Sequence, residues 1–579
     1  MEDKEEKRIC QNCKIDFEIT QDDMGFYERI KVPPPTFCPE CRFVRRLMWR
    51  NEGFFRKANC NLCDKNILTN NSTFNTFPIY CSDCWYSDKW DAVQYGLDYD
   101  FSKNFFIQWS ELLNKTPNIN MWALGNINSE YANYTGYSKN IYLSNATNCE
   151  DIMYSRLIDK SKNCSDCYYT SNSDFCYENF ATRKIYNSSF LNNCNDCVDS
   201  FFLFDCRNCS NCFMCHNLRN KTYCIRNIQY SKEDYEKLVK ENIGSFSFIN
   251  RSKKEFYELI KKGVHKFANI VNSLNISGDN IINSKNALNC FMIEGGENVK
   301  NCWRMFGKLK DSYDISGGLS NELCYESSLS ADGGYLSKFF SHSKGNKNTE
   351  LIHLCLNCSD CFGCVGLNSK QYCILNKQYT REQYEEMVPK IIKHMSDMSY
   401  IDSKGIVYKY GEFFPSELSP FCYNETIAQE YYPLTKKQAI SQGYRWKDKE
   451  ERNYDIDIKN SDIPDNINDI DVSIINKVIE CAHSTSLGHS GHKGDCNHQC
   501  TEAFKIIPPE YQFYKRMNLP IPHLCPNCRH YERLDQRNPL KLWHRQCMKE
   551  GCTNEFETPY APDRPEIVYC EKCYQQEVY

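Results

Sequence analysis

Cysteine pairs separated by two residues occur near both ends of the 579-residue chain, and such pairs suit one kind of chemistry. A tight turn between two cysteines presents both thiolates on one side, and a second such turn completes a closed tetrahedral site for zinc. The first end offers Cys10-x2-Cys13 with Cys38-x2-Cys41, then Cys60-x2-Cys63 with Cys81-x2-Cys84. The other end offers Cys525-x2-Cys528, then the looser Cys547-x4-Cys552 with Cys570-x2-Cys573. Four sulfurs leave no open coordination position, so the expected role is structural, with about four zinc ions per chain. Buried or disulfide-bonded cysteines are the plainer alternative. Cys500 faces Cys525 and Cys528, and the expected set is completed by Cys496, with Cys481 open as the other choice. The stretch between Cys481 and Cys500 carries His483, His489, His492 and His498, enough for a further metal or simply a polar loop.

The two ends are copies of one another. A shift of 487 positions lays Cys13–Cys60 on Cys500–Cys547 without a gap, matching Phe26-Tyr27 with Phe513-Tyr514 and Cys38-Pro39 with Cys525-Pro526. The phrase CKIDFEI…FYERIKVPPPTFCPECRFVRR resembles the short bacterial zinc-ribbon domains over about thirty residues at each end. That resemblance implies zinc at Cys10, Cys13, Cys38 and Cys41, and at Cys500, Cys525 and Cys528. The whole chain also resembles large bacterial proteins that join such ribbons to cysteine- and asparagine-rich repeats, a likeness that brings no function with it.

Arg42, Arg46 and Arg50 are spaced by four, as are Arg529, Arg533 and Arg537, so each trio lies on one face of a helix. With Trp49, Phe54, Phe55, Arg56 and Lys57 close by, the stripe is a candidate nucleic-acid surface, RNA before DNA. The simpler reading is a solvated helix face beside the second zinc site.

These modules must be positioned by the long middle, which is rich in Asn, Ser, Tyr and Cys. Cys149, Cys164, Cys194, Cys209 and Cys224 fall on a fifteen-residue lattice, which predicts a β-solenoid with stacked thiols inside and asparagine ladders at its turns. A string such as Cys206, Cys209, Cys212 and Cys215 would otherwise suit an iron–sulfur cluster. A shift of 149 repeats this middle, laying 206–238 on 355–387, and each copy ends in a capped helix pattern at Ser231 or Thr380. The expected architecture is mainly β and multidomain. A double zinc module spans 1–92 and a connector 93–125. The first solenoid spans 126–265, the second 266–397 and a linker 398–475, its charged part mobile. A second double zinc module, treble-clef or zinc-ribbon-like as the first, spans 476–579.

A net charge of -5 provides no global field for nucleic acid or an anionic membrane. The charged N-terminus and the lack of an apolar run of about twenty residues lead to the expectation of a soluble, cytoplasmic protein with no membrane partner. No nucleophile elbow, HExxH site, phosphate loop or dinucleotide fingerprint occurs. Asp311, Asp314, Glu322 and Asp332 would have to meet in a groove for the carbohydrate-active alternative. The leading expectation is therefore a non-enzymatic, zinc-stabilised scaffold that binds a macromolecule, either nucleic acid through the arginines or a protein alone.

Overall fold

Between Gly125 and Ile225 one residue in three adopts left-handed backbone geometry, without interruption from Asn148 to Arg226. Asparagine and aspartate tolerate that geometry better than other non-glycine residues, which accounts for their abundance here. The computed structural model, which describes residues 6–449, 453–485 and 499–579, shows what this rhythm builds. Each three-residue side ends in a corner, and four sides bring the chain back over itself after twelve residues. Ile152 thus pairs in parallel with Cys164, and Cys164 with Cys176. We call each twelve-residue turn a rung.

The fold is mainly β, with two parallel sheets curled around their own interiors. The fifteen-residue period expected from the cysteines is corrected by this register. Inward positions recur every three residues, so fifteen is one rung plus one side. Cys206, Cys209, Cys212 and Cys215 occupy successive inward positions of one rung and are all buried, with Cys194, Leu203 and Cys224 packed around them. Each sulfur donates to the carbonyl two residues earlier, as Cys209 Sγ does to Arg207 O at 3.4 Å. Burial pushes the Cys149 and Cys324 thiols up to about 12, leaving them protonated packing groups. The expected asparagine ladder runs along the corners: Asn208 Nδ2 donates to Asn220 Oδ1 at 2.7 Å, and Asn286 to Asn298 at 2.8 Å.

The second stack, from Ile270 to Ile374, starts with longer strands, Lys285–Lys300 and Trp303–Gly318, whose register slips by one residue between Glu294 and Gly296. Cys355, Cys358, Cys361 and Cys364 repeat the buried quartet inside it. Its end carries the helix expected from the Thr380–Gln383 capping box, Arg381–Asp397. The first stack ends on Lys232–Tyr235, capped by Ser231, and is covered by Phe246–Lys262.

The two ends of the chain dock crosswise. In the first copy Tyr27, on helix α1 (Gln21–Ile30), packs edge-on against Tyr325 of the second stack at 5.4 Å. In the second copy Tyr514, on Pro508–Met517, packs the same way against Tyr177 of the first stack at 5.7 Å. The second cysteine group at each end instead meets the start of a stack. Ile79–Tyr80 pairs in parallel with Asn118–Ile119 ahead of the first stack, and Ile567–Tyr569 pairs with Val264–Lys266 ahead of the second.

The mobile stretch expected within the linker is corrected at its described C-terminal end, from Ile463 on. Ile463, Ile467, Ile470 and Ile474 are buried in one core with Tyr511 and Met517. These isoleucines recur every three or four residues, a signal diluted by the acidic residues and asparagines between them. Among the described residues no helix is long and apolar enough to cross a membrane.

Candidate metal centres

Each cysteine group is built from a strand hairpin and a helix start. In the first, antiparallel strands Glu6–Ile9 and Asp16–Ile19 bring Cys10 and Cys13 into a turn closed by Lys14 in left-handed geometry. Cys38 is the N-cap of α2 (Pro39–Leu47), with Pro39 in the first turn, and Cys41 follows one turn on. The helix dipole thus points its positive end at the thiolates. Cys60/Cys63 with Cys81/Cys84 repeat this plan, as do Cys547/Cys552 with Cys570/Cys573.

In the third group the described residues make up a set of four with Cys481. Ile479–Glu480 pairs with Ala503–Phe504, so the strand pairing of the first copy survives although Cys481 and Cys500 stand far apart in sequence. The strand leads directly into Cys481, which stands with Cys500, Cys525 and Cys528. Cys496, His489, His492 and His498 lie outside the described residues. The signal for Cys481 was its place after a strand, as Cys10 follows Ile9; spacing to Cys500 hid it.

In every group the four sulfurs lie within 4.8 Å of one another. Sulfur separations are 3.7 Å for Cys13–Cys38, 3.8 Å for Cys63–Cys81 and 4.0 Å for Cys481–Cys528. A tetrahedral ion with bonds of about 2.3 Å to sulfur sets its ligands roughly 3.8 Å apart, so the donor sets fit such an ion. Amide groups also point at the sulfurs: Cys81 N donates to Cys60 Sγ at 3.3 Å, Cys525 N to Cys481 Sγ at 3.2 Å and Asn12 Nδ2 to Cys41 Sγ at 3.2 Å. Burial pushes the Cys60 thiol up, but the N–H groups of Cys81, Leu62 and Cys63 outweigh it and hold it at about 6. The four groups could each hold a metal ion. Among the described residues no other cysteines come together in this way; those of the Cys206–Cys215 string are buried, and each donates to a backbone carbonyl.

The arginine stripes stand elsewhere than expected. Arg42, Arg46 and Arg50 are buried, as are Arg529 and Arg533, because each helix lays its stripe on a β-stack. Arg42 Nη2 and Arg46 Nη1 reach the two carboxylate oxygens of Asp314 at 2.8 and 3.0 Å. Arg45 pairs with Glu326 and Glu412, both at 2.8 Å. In the other half Arg529 and Arg533 hold Asp166 at 3.0 and 2.8 Å. Arg50 Nη1 donates to Ser316 O at 2.9 Å, and a side chain on Gly317 would collide with its guanidinium. The stripes therefore present no cationic face to phosphate; the expectation is corrected because four-residue spacing marks a helix face without saying what faces it. Asp314 is likewise committed, and Asp311 accepts from Asn298 Nδ2 at 2.9 Å in the corner ladder, so these two acids form no catalytic pair.

No family model matches the chain. No curated protein matches it either. Among solved structures, one described as an acetyltransferase from Desulfovibrio desulfuricans G20 aligns at 11% identity over 44% of this chain and 63% of that one, with a TM-score of 0.09. The chain thus spans under two thirds of that structure, and the likeness carries no argument about fold or activity.

Proposed function

We propose that this protein is a non-enzymatic scaffold in which four zinc ions, one in each cysteine group, fasten the chain ends to a pair of β-solenoids, and whose outer surface binds another protein. The observation that carries this reading is the set of four closed, amide-supported tetrathiolate groups. All-sulfur sites of this size favour zinc over harder ions. The twelve-residue rungs support reading the two stacks as β-solenoids, and the hairpin-plus-helix groups support zinc-ribbon or treble-clef-like modules. A protein partner is favoured over nucleic acid because the arginine stripes are internal. The outer corners of the first stack offer amphipathic contacts instead, with Tyr137 and Tyr186 at least half exposed.

Metal analysis of natively purified protein tests the scaffold: four zinc ions per chain are expected, and iron or fewer than two zinc ions would overturn it. Crosslinking in cells separates the partners. A protein partner whose affinity is insensitive to salt is expected, whereas recovered RNA or DNA with steep salt dependence would overturn the protein-only reading.

A further inference from the structure

The third cysteine group departs from the first in two places. Cys10 and Cys13 share one tight turn, whereas Cys481 and Cys500 are too far apart in sequence for a short turn to fix them together. The other departure lies beside the last cysteine. In the first group Asn12, the residue before Cys13, donates from Nδ2 to Cys41 Sγ at 3.2 Å. The residue before Cys500 is Gln499, and its Nε2 donates instead to Asn424 O at 3.0 Å. Cys528, the counterpart of Cys41, is met by a ring: His483 Nδ1 stands 3.4 Å from Cys528 Sγ.

A thiolate on a metal ion has no proton to give, so in the loaded centre the imidazole donates through Nδ1–H and supports Cys528 as Asn12 supports Cys41. The two supports are not equivalent beside a metal. The amide nitrogen of Asn12 is only a donor, whereas the other tautomer of a neutral imidazole offers a lone pair at Nδ1, and imidazole is a common zinc ligand. His483 lies in the short helix Ala482–Thr485, two residues after Cys481, so its ring is tethered to a ligand that a strand holds in place. Its Nδ1 is nearer to Cys528 Sγ than Cys481 Sγ is, at 4.0 Å. Three thiolates and one imidazole make a closed structural set for zinc just as four thiolates do.

We propose that His483 is a reserve ligand of the third centre: it holds Cys528 by a hydrogen bond while four thiolates bind the ion, and takes the place of Cys528 on the ion when that sulfur is lost. This role presupposes the zinc reading of the group, and the first centre is its control. In full-length protein purified with zinc, Cys41→Ala is expected to lose one ion per chain and Cys528→Ala none, while Cys528→Ala combined with His483→Ala loses one. In cadmium-113 NMR of the cadmium-substituted protein, one resonance is expected to move upfield in Cys528→Ala, as exchange of sulfur for nitrogen requires, and to vanish in the double variant. Loss of an ion from Cys528→Ala, an unmoved resonance, or retention of the ion in the double variant would overturn the reserve role. Should Cys528→Ala fail to fold, His483→Ala is expected to release one ion to a chelator about tenfold faster than the wild type, and an unchanged rate would overturn the inference. Equal metal content in the wild type and Cys525→Ser would instead overturn the zinc reading of this centre.

Discussion

Asp166 and Asp314 occupy matching places in the two stacks, each buried and each held by two arginines from the far end of the chain. Around them the halves differ. The N-terminal half closes its interface with charge, adding Arg45–Glu326, Arg45–Glu412 and Arg304–Glu52, while the C-terminal half keeps the carboxyl of Glu510 beside Arg529 and leaves a cavity by Arg537. A duplicated docking geometry has thus kept its central anion and varied the rim. The lesson is energetic: a buried carboxylate shared by two guanidinium groups is very costly to lose from one side, whereas neighbouring pairs can be traded for apolar groups or space.

The crosswise docking is most directly broken at the cysteine groups. Cys38→Ser is expected to cost the first centre its ion and to speed amide exchange in the second stack around Tyr313–Ser327, not in the first. Cys525→Ser is expected to do the reverse. Binding of a structural zinc is worth about 10 kcal/mol or more, so exchange should rise by orders of magnitude, and exchange confined to the mutated end would refute the coupling.

Next in size are the shared aspartates. Asp314→Ala and Asp166→Ala each strand two buried cations and should cost about 3–5 kcal/mol in denaturant unfolding. A loss under about 1 kcal/mol in either would show that its arginines find other partners.

Acidity should separate the halves. Burial opposes the charge of Glu52, but Arg304 and Arg50 outweigh it and hold its carboxyl at about 2; burial lowers His353 to about 3. The folded forms of both bind fewer protons than the unfolded chain, so stability falls as pH drops, from about 6.5 for His353 and about 4.5 for Glu52. Glu532 behaves oppositely: burial first, then Glu178 and Asp535, push it up to about 7 against the pull of Lys253 and Arg533. Its folded form binds the extra proton, so its contribution is present below about 4.5 and lost as pH rises through 7. Glu532→Gln is expected to stabilise the C-terminal half by about 1–2 kcal/mol at pH 8 and to do nothing at pH 4, read by peptide-level exchange.

The smallest effect concerns the inward cysteines. Cys209→Ala and its counterpart Cys358→Ala should each cost about 1 kcal/mol and release no metal, because they lose only a packed sulfur and a weak S–H donor. Release of metal from either would move the stacks from packing to coordination.

Much of this was legible in the chain. The cysteine pairs gave three of the four tetracysteine groups complete, the repeat showed that the two ends share one plan, and the Thr380 capping box gave a helix start. Periodicity showed the stacks but not their rung, since any multiple of the three-residue side can pose as the repeat. Cys481 was obscured by an insertion, and Ile463–Ile474 by the acids between them. The arginines were misread for a different reason: the sequence specifies a cationic helix face, and only the partner surface decides whether it meets solvent or a buried aspartate.

Taken by itself, the sequence determined the local chemistry: which cysteines lie in tight turns, where helices begin, and which residues tolerate left-handed corners, because these depend on neighbours within a few positions. Only the tertiary structure decided that the ends cross to opposite stacks, that Arg42 and Arg46 share Asp314, and that Arg537 is left beside a cavity. Those outcomes depend on groups hundreds of residues apart, whose pairing is set by the burial and electrostatics of whole surfaces rather than by spacing along the chain.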